Sequence, residues 1–141
     1  MRFLLDTNIV SELRKGRRAD QAVLAWRKNV RTSECGLSVI TLMELTLGIA
    51  LKARKDERAG QALQDWYERK LKPSFAGRIL VLDGAIAERA AGLQVERTRP
   101  GSDALIAATA LVRGLVLVTR NIRDFAGITD LQLIDPWAQS R

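Results

Sequence analysis

Three carboxylates stand far apart in the chain, each in surroundings that single it out. Asp6 closes the apolar run Phe3-Leu4-Leu5, Glu44 interrupts the stretch from Val39 to Leu47, and Asp103 opens the helix-like stretch from Ser102 to Leu111. A fold that gathers them builds an acidic hole. Brought within about 4 Å, each pair repels by roughly 4 kcal/mol at an effective dielectric of about 20, and a divalent cation reverses that sign. The chain has no histidine and a single cysteine, Cys35, which excludes an imidazole base, an intrachain disulfide and a multi-cysteine zinc site. All-oxygen ligands favour Mg²⁺ or Mn²⁺. Such an ion polarises a phosphoryl oxygen, activates a bound water and stabilises the leaving oxygen. The expected chemistry is therefore phosphodiester hydrolysis by metal-activated water.

Each carboxylate also has a purely structural explanation. Asp6 can cap the helix that follows, although Thr7 can take that role and free Asp6 to point over the sheet edge. Asn8 is then placed to hold the second carboxylate oxygen, supporting the ligand from behind. Glu44 is harder to explain, because no other charge occurs between Leu37 and Leu51 and the apolar residues run most of the way round a helix. An unpaired carboxylate buried there is costly or stays protonated, and an ion pair with arginine is the structural alternative. Gly48, one turn on, removes a side chain beside it. Asp103 gains roughly 0.3–1 kcal/mol from a helix N-terminus. It also shares one face with Ile106, Ala107, Ala110 and Leu111, whose small members allow close packing on a sheet.

The elements that must position these residues follow from periodicity and punctuation. Residues 2–6 read as a short buried strand, 8–14 as a short helix, and 20–30 as a helix carrying Ala22, Val23, Trp26 and Val30 at helical spacing. Residues 34–37 form a strand, and Ser38 caps a helix running to about Lys52. A polar helix from Asp56 to about Lys72 stops at Pro73. Residues 78–82 read as a strand buried on both faces, and Asp83 caps a helix over 84–97. Pro100-Gly101 breaks that helix, and Ser102 starts another that ends at Gly114. Residues 115–119 form the clearest strand. A helical turn near Asp124 and an edge strand over 132–134 complete the chain. Strands alternating with helices imply a three-layer α/β/α fold, with a mostly parallel sheet of four to five strands in one domain, 1–141. In such sheets ligands bind beyond the carboxyl ends of the strands, where Asp6 and Asn121 fall.

Composition narrows the partners. With 47% hydrophobic and 28% charged residues the chain is ordinary for a soluble globular protein. No apolar run approaches the roughly 20 residues of a membrane span, and no signal-peptide pattern follows Met1, so the cytoplasm is the expected location. The net charge of +7 favours an acidic partner, nucleic acid foremost. The charge is uneven: Arg14, Lys15, Arg17 and Arg18 form one cluster, and Lys52, Arg54, Lys55 and Arg58 another. Arg97, Arg99, Arg120 and Arg123 lie close in sequence to Asp103 and Asn121. Acids at the centre with bases on the rim suit a metal-bound phosphate. Cys35 is expected to be a small buried hydrophobe.

The segments LLDTNIVSEL, LSVITLMELTLGI, PGSDALIAATAL and LVTRNIRDF occur in the order of a PIN domain. The chain most resembles the VapC-type ribonuclease toxins of bacterial toxin–antitoxin pairs, and the resemblance extends to the terminal Ile134-Asp135-Pro136-Trp137. Each motif alone is weak; four in register are specific. The resemblance implies a Mg²⁺- or Mn²⁺-dependent endoribonuclease with Asp6, Glu44 and Asp103 at the acidic metal positions. Asn121 matches a place where many members carry a further aspartate, and Asp124 stands near enough to compensate. Thr7, Asn8 and Thr119 match supporting polar positions, and Arg120 joins them as a substrate contact. A cognate antitoxin, an RNA substrate and a homodimer, alone or within a larger antitoxin complex, are the implied partners. Leu63, Trp66 and Tyr67, together with the helix around 42–50, are candidate protein contacts. Two other doubly wound classes fit poorly: a phosphorelay receiver wants a second acid where Thr7 stands, and a haloacid-type phosphatase wants aspartate where Asn8 stands. A catalytically silent PIN-like module that binds RNA or a partner is the alternative that Asn121 keeps open.

Overall fold

The computed structural model describes residues 1–138; residues 139–141 of the expected domain lie outside the described residues. Five strands form one sheet: β1 (Phe3–Leu5), β2 (Cys35–Ser38), β3 (Ile79–Leu80), β4 (Val116–Val118) and β5 (Leu133–Ile134). Their order is β3-β2-β1-β4-β5, and every pairing is parallel. The chain builds outward from β1 to β3 on one side, then returns to lay β4 and β5 on the other. The order thus reverses at β1, which leaves a crevice at the carboxyl ends of β1 and β4.

Period-two alternation divides the core between the two faces of the sheet. Phe3, Leu5 and Val118 face Ile9, Val10, Val23, Trp26, Leu45 and Tyr67 on one side. Leu4 and Leu117 face Ile86, Leu93, Ile106 and Ala107 on the other. The first layer is built from α1 (Thr7–Leu13), α2 (Gln21–Lys28), α3 (Val39–Lys55) and α4 (Glu57–Trp66); the π-helical turn Tyr67–Leu71 and α5 (Lys72–Ser74) continue the rod of α4. The second layer holds α6 (Gly84–Glu96) and α7 (Gly101–Arg113). A short α8 (Ile122–Phe125) follows β4. No helix among the described residues is long and apolar enough to cross a membrane.

Local chemistry sets the helix ends. Ser38 caps α3 through Ile40 N at 3.0 Å and Asp83 caps α6 through Ile86 N at 2.9 Å, as the sequence suggests. Gly114 ends α7 in the left-handed conformation, φ +67°. Cys35 is buried, as expected.

Two expectations need correction. The polar helix does not stop at Pro73 but passes through it to Ser74. The proline lacks an N–H, the turn before it is wound in π geometry, and Ser74 Oγ donates to the Lys70 carbonyl at 2.6 Å. Residues 78–82 are not a strand buried on both faces. Only Ile79 and Leu80 pair, at the sheet edge, and Val81 and Leu82 are exposed; a short apolar run does not itself distinguish a central strand from an edge one. The near-continuous apolar character of α3 is also not all core: Met43, Leu47 and Leu51, at i, i+4 and i+8, are 54%, 59% and 50% exposed.

Helices α3 and α4 pack as a tight hairpin because Gly60 admits the backbone of Ala53. A Cβ at Gly60 would stand 2.5 Å from both Cα and Cβ of Ala53. Alanine in place of glycine favours an isolated helix by about 1 kcal/mol, but overpacking against a backbone costs about 1–3 kcal/mol. Gly60→Ala is therefore expected to lower the urea midpoint and the Tm; an unchanged or raised midpoint would show that the hairpin yields.

Candidate functional site

Asp6 occupies the crevice where the strand order reverses. Its backbone N–H donates to the Val118 carbonyl at 2.9 Å, which fixes it to the end of β4. The side chain is 7% exposed. Thr7 N donates to Oδ1 at 2.8 Å, and Thr119 Oγ1 donates to Oδ2 at 2.8 Å. Asn8 Nδ2 is a more distant donor to Oδ2, at 3.4 Å. Of the two capping readings, the structure takes Asp6 rather than Thr7: Asp6 caps with one oxygen and turns the other toward Thr119. The second oxygen is held mainly by Thr119 rather than Asn8. Thr119 Oγ1 also accepts from Asn121 N at 3.0 Å, and Asn8 Oδ1 accepts from Arg120 N at 3.2 Å.

Glu44 reaches the same place from α3. Thr7, freed from capping, donates its hydroxyl to Glu44 Oε1 at 2.6 Å, and the buried Thr41 hydroxyl lies 3.2 Å from Thr7 Oγ1. Neither a buried carboxylate nor an arginine pair is found: Glu44 is half-buried, and among the described residues no salt bridge reaches it. Gly48 is exposed, and a Cβ there would meet nothing within 4 Å, so it is not needed to open the site.

Asp103 enters on the first turn of α7, half-buried beside the buried Ala104 and Ala107. Burial raises its pKa, the carboxylates of Asp124, Asp6 and Glu44 raise it further, and Arg99 opposes them weakly. Burial likewise raises the pKa of Asp6; the Thr119 and Thr7 donors oppose this without reversing it, and Asp124 adds to it. Asp124, exposed on α8, therefore acts on both acids through space.

Asp6, Glu44, Asp103, Thr7, Asn8, Arg120 and Asn121 all line one cleft of ≈ 500 Å³. Asp124 is not among its lining residues, and Thr119 lies buried behind Asp6. Ser11, Glu12, Arg14, Lys15 and Trp137 complete the wall. Ser11, Glu12 and Trp137 carry no functional signal in the sequence beyond their motifs. Ser11 nevertheless follows Thr7 at i+4 on one face of α1, and Arg14 and Lys15 lie just past its end. Lys15 pairs with Glu12 at 3.0 Å and, with Asp20 N–H, holds the Glu12 carboxyl below its usual range. The expected basic rim is only partly formed. Arg97 and Arg123 do not line the cleft, and Arg99 is buried, with Nη1 lacking a hydrogen-bond partner.

Among the described residues no group of three acidic side chains is arranged to hold an ion as placed; the acids share the cleft without converging. Their chemistry still fits a hard cation. The donors are all oxygen, and among the described residues none of Asp6, Glu44 and Asp103 forms a salt bridge. The pKa values of Asp6 and Asp103 are raised first by burial and then by neighbouring carboxylates.

A pH test follows from Asp103. Its folded pKa lies above the unfolded value of about 4, so the folded state binds the proton more tightly. Stability is lost as pH rises from the unfolded pKa through the raised folded one. Asp103→Asn removes this loss. In EDTA its Tm relative to wild type is expected to climb as pH rises from about 4 to about 7, and a pH-independent difference would refute the raised pKa of Asp103.

Residues 3–131 match the PIN domain family. The chain is 34% identical over 140 residues to the VapC ribonuclease Y4jK of Sinorhizobium fredii, covering 96% of this chain and 97% of that protein. It is 32% identical over 142 residues to the tRNA(fMet)-specific endonuclease VapC of Shigella flexneri, covering 96% and 98%. Among solved structures, FitAcB from Neisseria gonorrhoeae superimposes with a TM-score of 0.86 at 32% identity, covering 96% of this chain and 99% of that one. Motif order, parallel sheet and cleft agree with these likenesses: the chain belongs to the PIN-domain family, and within it to the VapC type.

Proposed function

We propose that the protein is a Mg²⁺- or Mn²⁺-dependent endoribonuclease and the toxin of a toxin–antitoxin pair. The observation that carries this reading is the meeting of Asp6, Glu44 and Asp103, from three distant parts of the chain, in one cleft whose wall also holds Arg14, Lys15 and Arg120. The ribonuclease and endonuclease activities of the Sinorhizobium and Shigella relatives support it.

In this reading Asp6, Glu44 and Asp103 hold the metal. A bound Mg²⁺ or Mn²⁺ supplies polarisation of the scissile phosphoryl oxygen and acidification of water. Thr119 and Asn8 aim Asp6, and Thr7 aims Glu44. Asn121 offers a neutral side chain at the cleft and Asp124 stands outside its lining, which favours one firmly held ion over two. Arg14, Lys15 and Arg120 engage the RNA phosphates. The cytoplasm, where RNA is met, is the proposed location.

The proposed partner is an antitoxin whose basic segment covers the acidic cleft; complexes of VapBC and FitAcB among the structural relatives support this. The ridge Met43, Leu47 and Leu51 on α3 supports contact with a second copy of the chain. Tyr67 is core and leaves the list of contact residues, whereas Leu63 and Trp66 are partly buried.

Purified protein is expected to cleave RNA with Mn²⁺ or Mg²⁺ and to stop in EDTA. Asp6→Asn and Asp103→Asn should each lose on the order of a hundredfold or more in rate. Equal cleavage by wild type and Asp6→Asn would assign the activity to a contaminant. In parallel, millimolar Mn²⁺ should raise the Tm of wild type, because it binds only the folded state, and should leave Asp103→Asn unmoved. An intact fold that neither cleaves RNA nor responds to Mn²⁺ would favour the catalytically silent module.

A further inference from the structure

Arg120 and Trp137 form a second functional feature of the cleft. The Arg120 guanidinium lies over the Trp137 ring, 4.9 Å from its centroid. Trp137 is only 9% exposed and belongs to the core cluster beneath the sheet. Its backbone N–H donates to Asp135 Oδ1 at 3.0 Å, which fixes the turn that carries it. Arg120 itself is exposed and, among the described residues, forms no salt bridge, whereas Lys15 on the same wall is tied to Glu12. Its backbone N–H donates to Asn8, whose amide reaches Asp6. The stack is therefore built onto the hydrogen bonds that hold the acidic site.

We propose that Arg120, held over the Trp137 ring, is a stacking platform for a nucleobase of the bound RNA beside the phosphate that is cut. A cation needed only to neutralise phosphate gains nothing from an indole beneath it. An indole beneath a guanidinium restrains it, and Arg120 stays exposed at the cleft wall. Unpaired RNA bases stack on such arginine planes as they do on aromatic rings. Trp137 is the one aromatic side chain lining the cleft among the described residues, and Arg120 the one guanidinium of its wall seated over an aromatic ring. The base must be unpaired to reach it, which selects single-stranded or loop RNA. The inference rests on the ribonuclease reading and gives that site a nucleotide subsite.

The test uses Asp103→Asn in EDTA, which separates binding from cleavage. Its affinity is measured by fluorescence anisotropy for a labelled single-stranded RNA and for the same strand made of abasic sugars. The intact strand is expected to bind about tenfold tighter, the size of one stacked base. Adding Arg120→Ala or Arg120→Lys should each abolish that preference, and Arg120→Lys should leave affinity for the abasic strand unchanged. Arg120 is exposed, so neither change threatens the core. A preference that survives Arg120→Lys would overturn the platform and leave a simple charge contact. Equal binding of the two strands by Asp103→Asn would overturn the platform while sparing the ribonuclease reading. Failure to bind either strand would overturn both.

Discussion

The hydrogen bond from Thr119 to Asp6, 2.8 Å long, joins β4 to β1 where the strand order turns back on itself. It ties the two structural tasks of this fold together. A parallel sheet that builds first to one side and then to the other has a crevice at its carboxyl edge. Placing a nearly buried carboxylate in that crevice is costly unless donors meet it. Thr7 N–H, Thr119 and more distantly Asn8 supply them, yet the carboxyl still titrates above its usual range because burial outweighs them. The site is thus organised but not electrostatically relaxed, the state expected of a site whose strain is part of its use.

The other acids reach the crevice through this arrangement. Because Asp6 caps α1 itself, the Thr7 hydroxyl is not needed at the helix end and reaches Glu44 on α3. Because α7 buries Ala104, Ala107 and Ala108 against its neighbours, its first turn sits low enough to bring Asp103 within range of Asp6, Glu44 and Asp124. A larger residue at Ala107 would lift that turn away from the crevice. Packing in the second layer therefore controls an electrostatic quantity on the site side.

What could be read from the sequence divides along this line. The continuous apolar runs Phe3-Leu4-Leu5 and Val116-Leu117-Val118, and the caps at Ser38 and Asp83, are local signals, and they specify the sheet and the helix starts. Asp6 and Glu44 stand out because an acid in an apolar segment is anomalous wherever the chain goes. Asp103 stands out less, since a helix first turn welcomes an acid without any other purpose. What escapes is non-local. The run at 78–82 contains nothing to say that β3 ends at the sheet edge. Pro73 signals a helix stop that the π turn circumvents. Trp137, near the far end of the chain, meets the cleft only because β5 lies beside β4.

The distribution of positive charge gives the last step. A net charge of +7 spread over the surface attracts a polyanion from a distance, but attraction of that kind specifies neither register nor orientation. Of the cations that cluster in sequence, only Arg14, Lys15 and Arg120 enter the cleft wall. Lys15 is engaged by Glu12, and Arg14 stands at the C-terminal cap of α1. Arg120 alone is held at both ends, its backbone by Asn8 and its guanidinium by Trp137. A side chain so restrained loses less conformational entropy when a ligand meets it than a free lysine does. Under the ribonuclease reading, the diffuse charge governs how fast RNA arrives, and this one ordered arginine governs how it lies against the acids. The first effect fades with salt, and the second is largely geometric and does not.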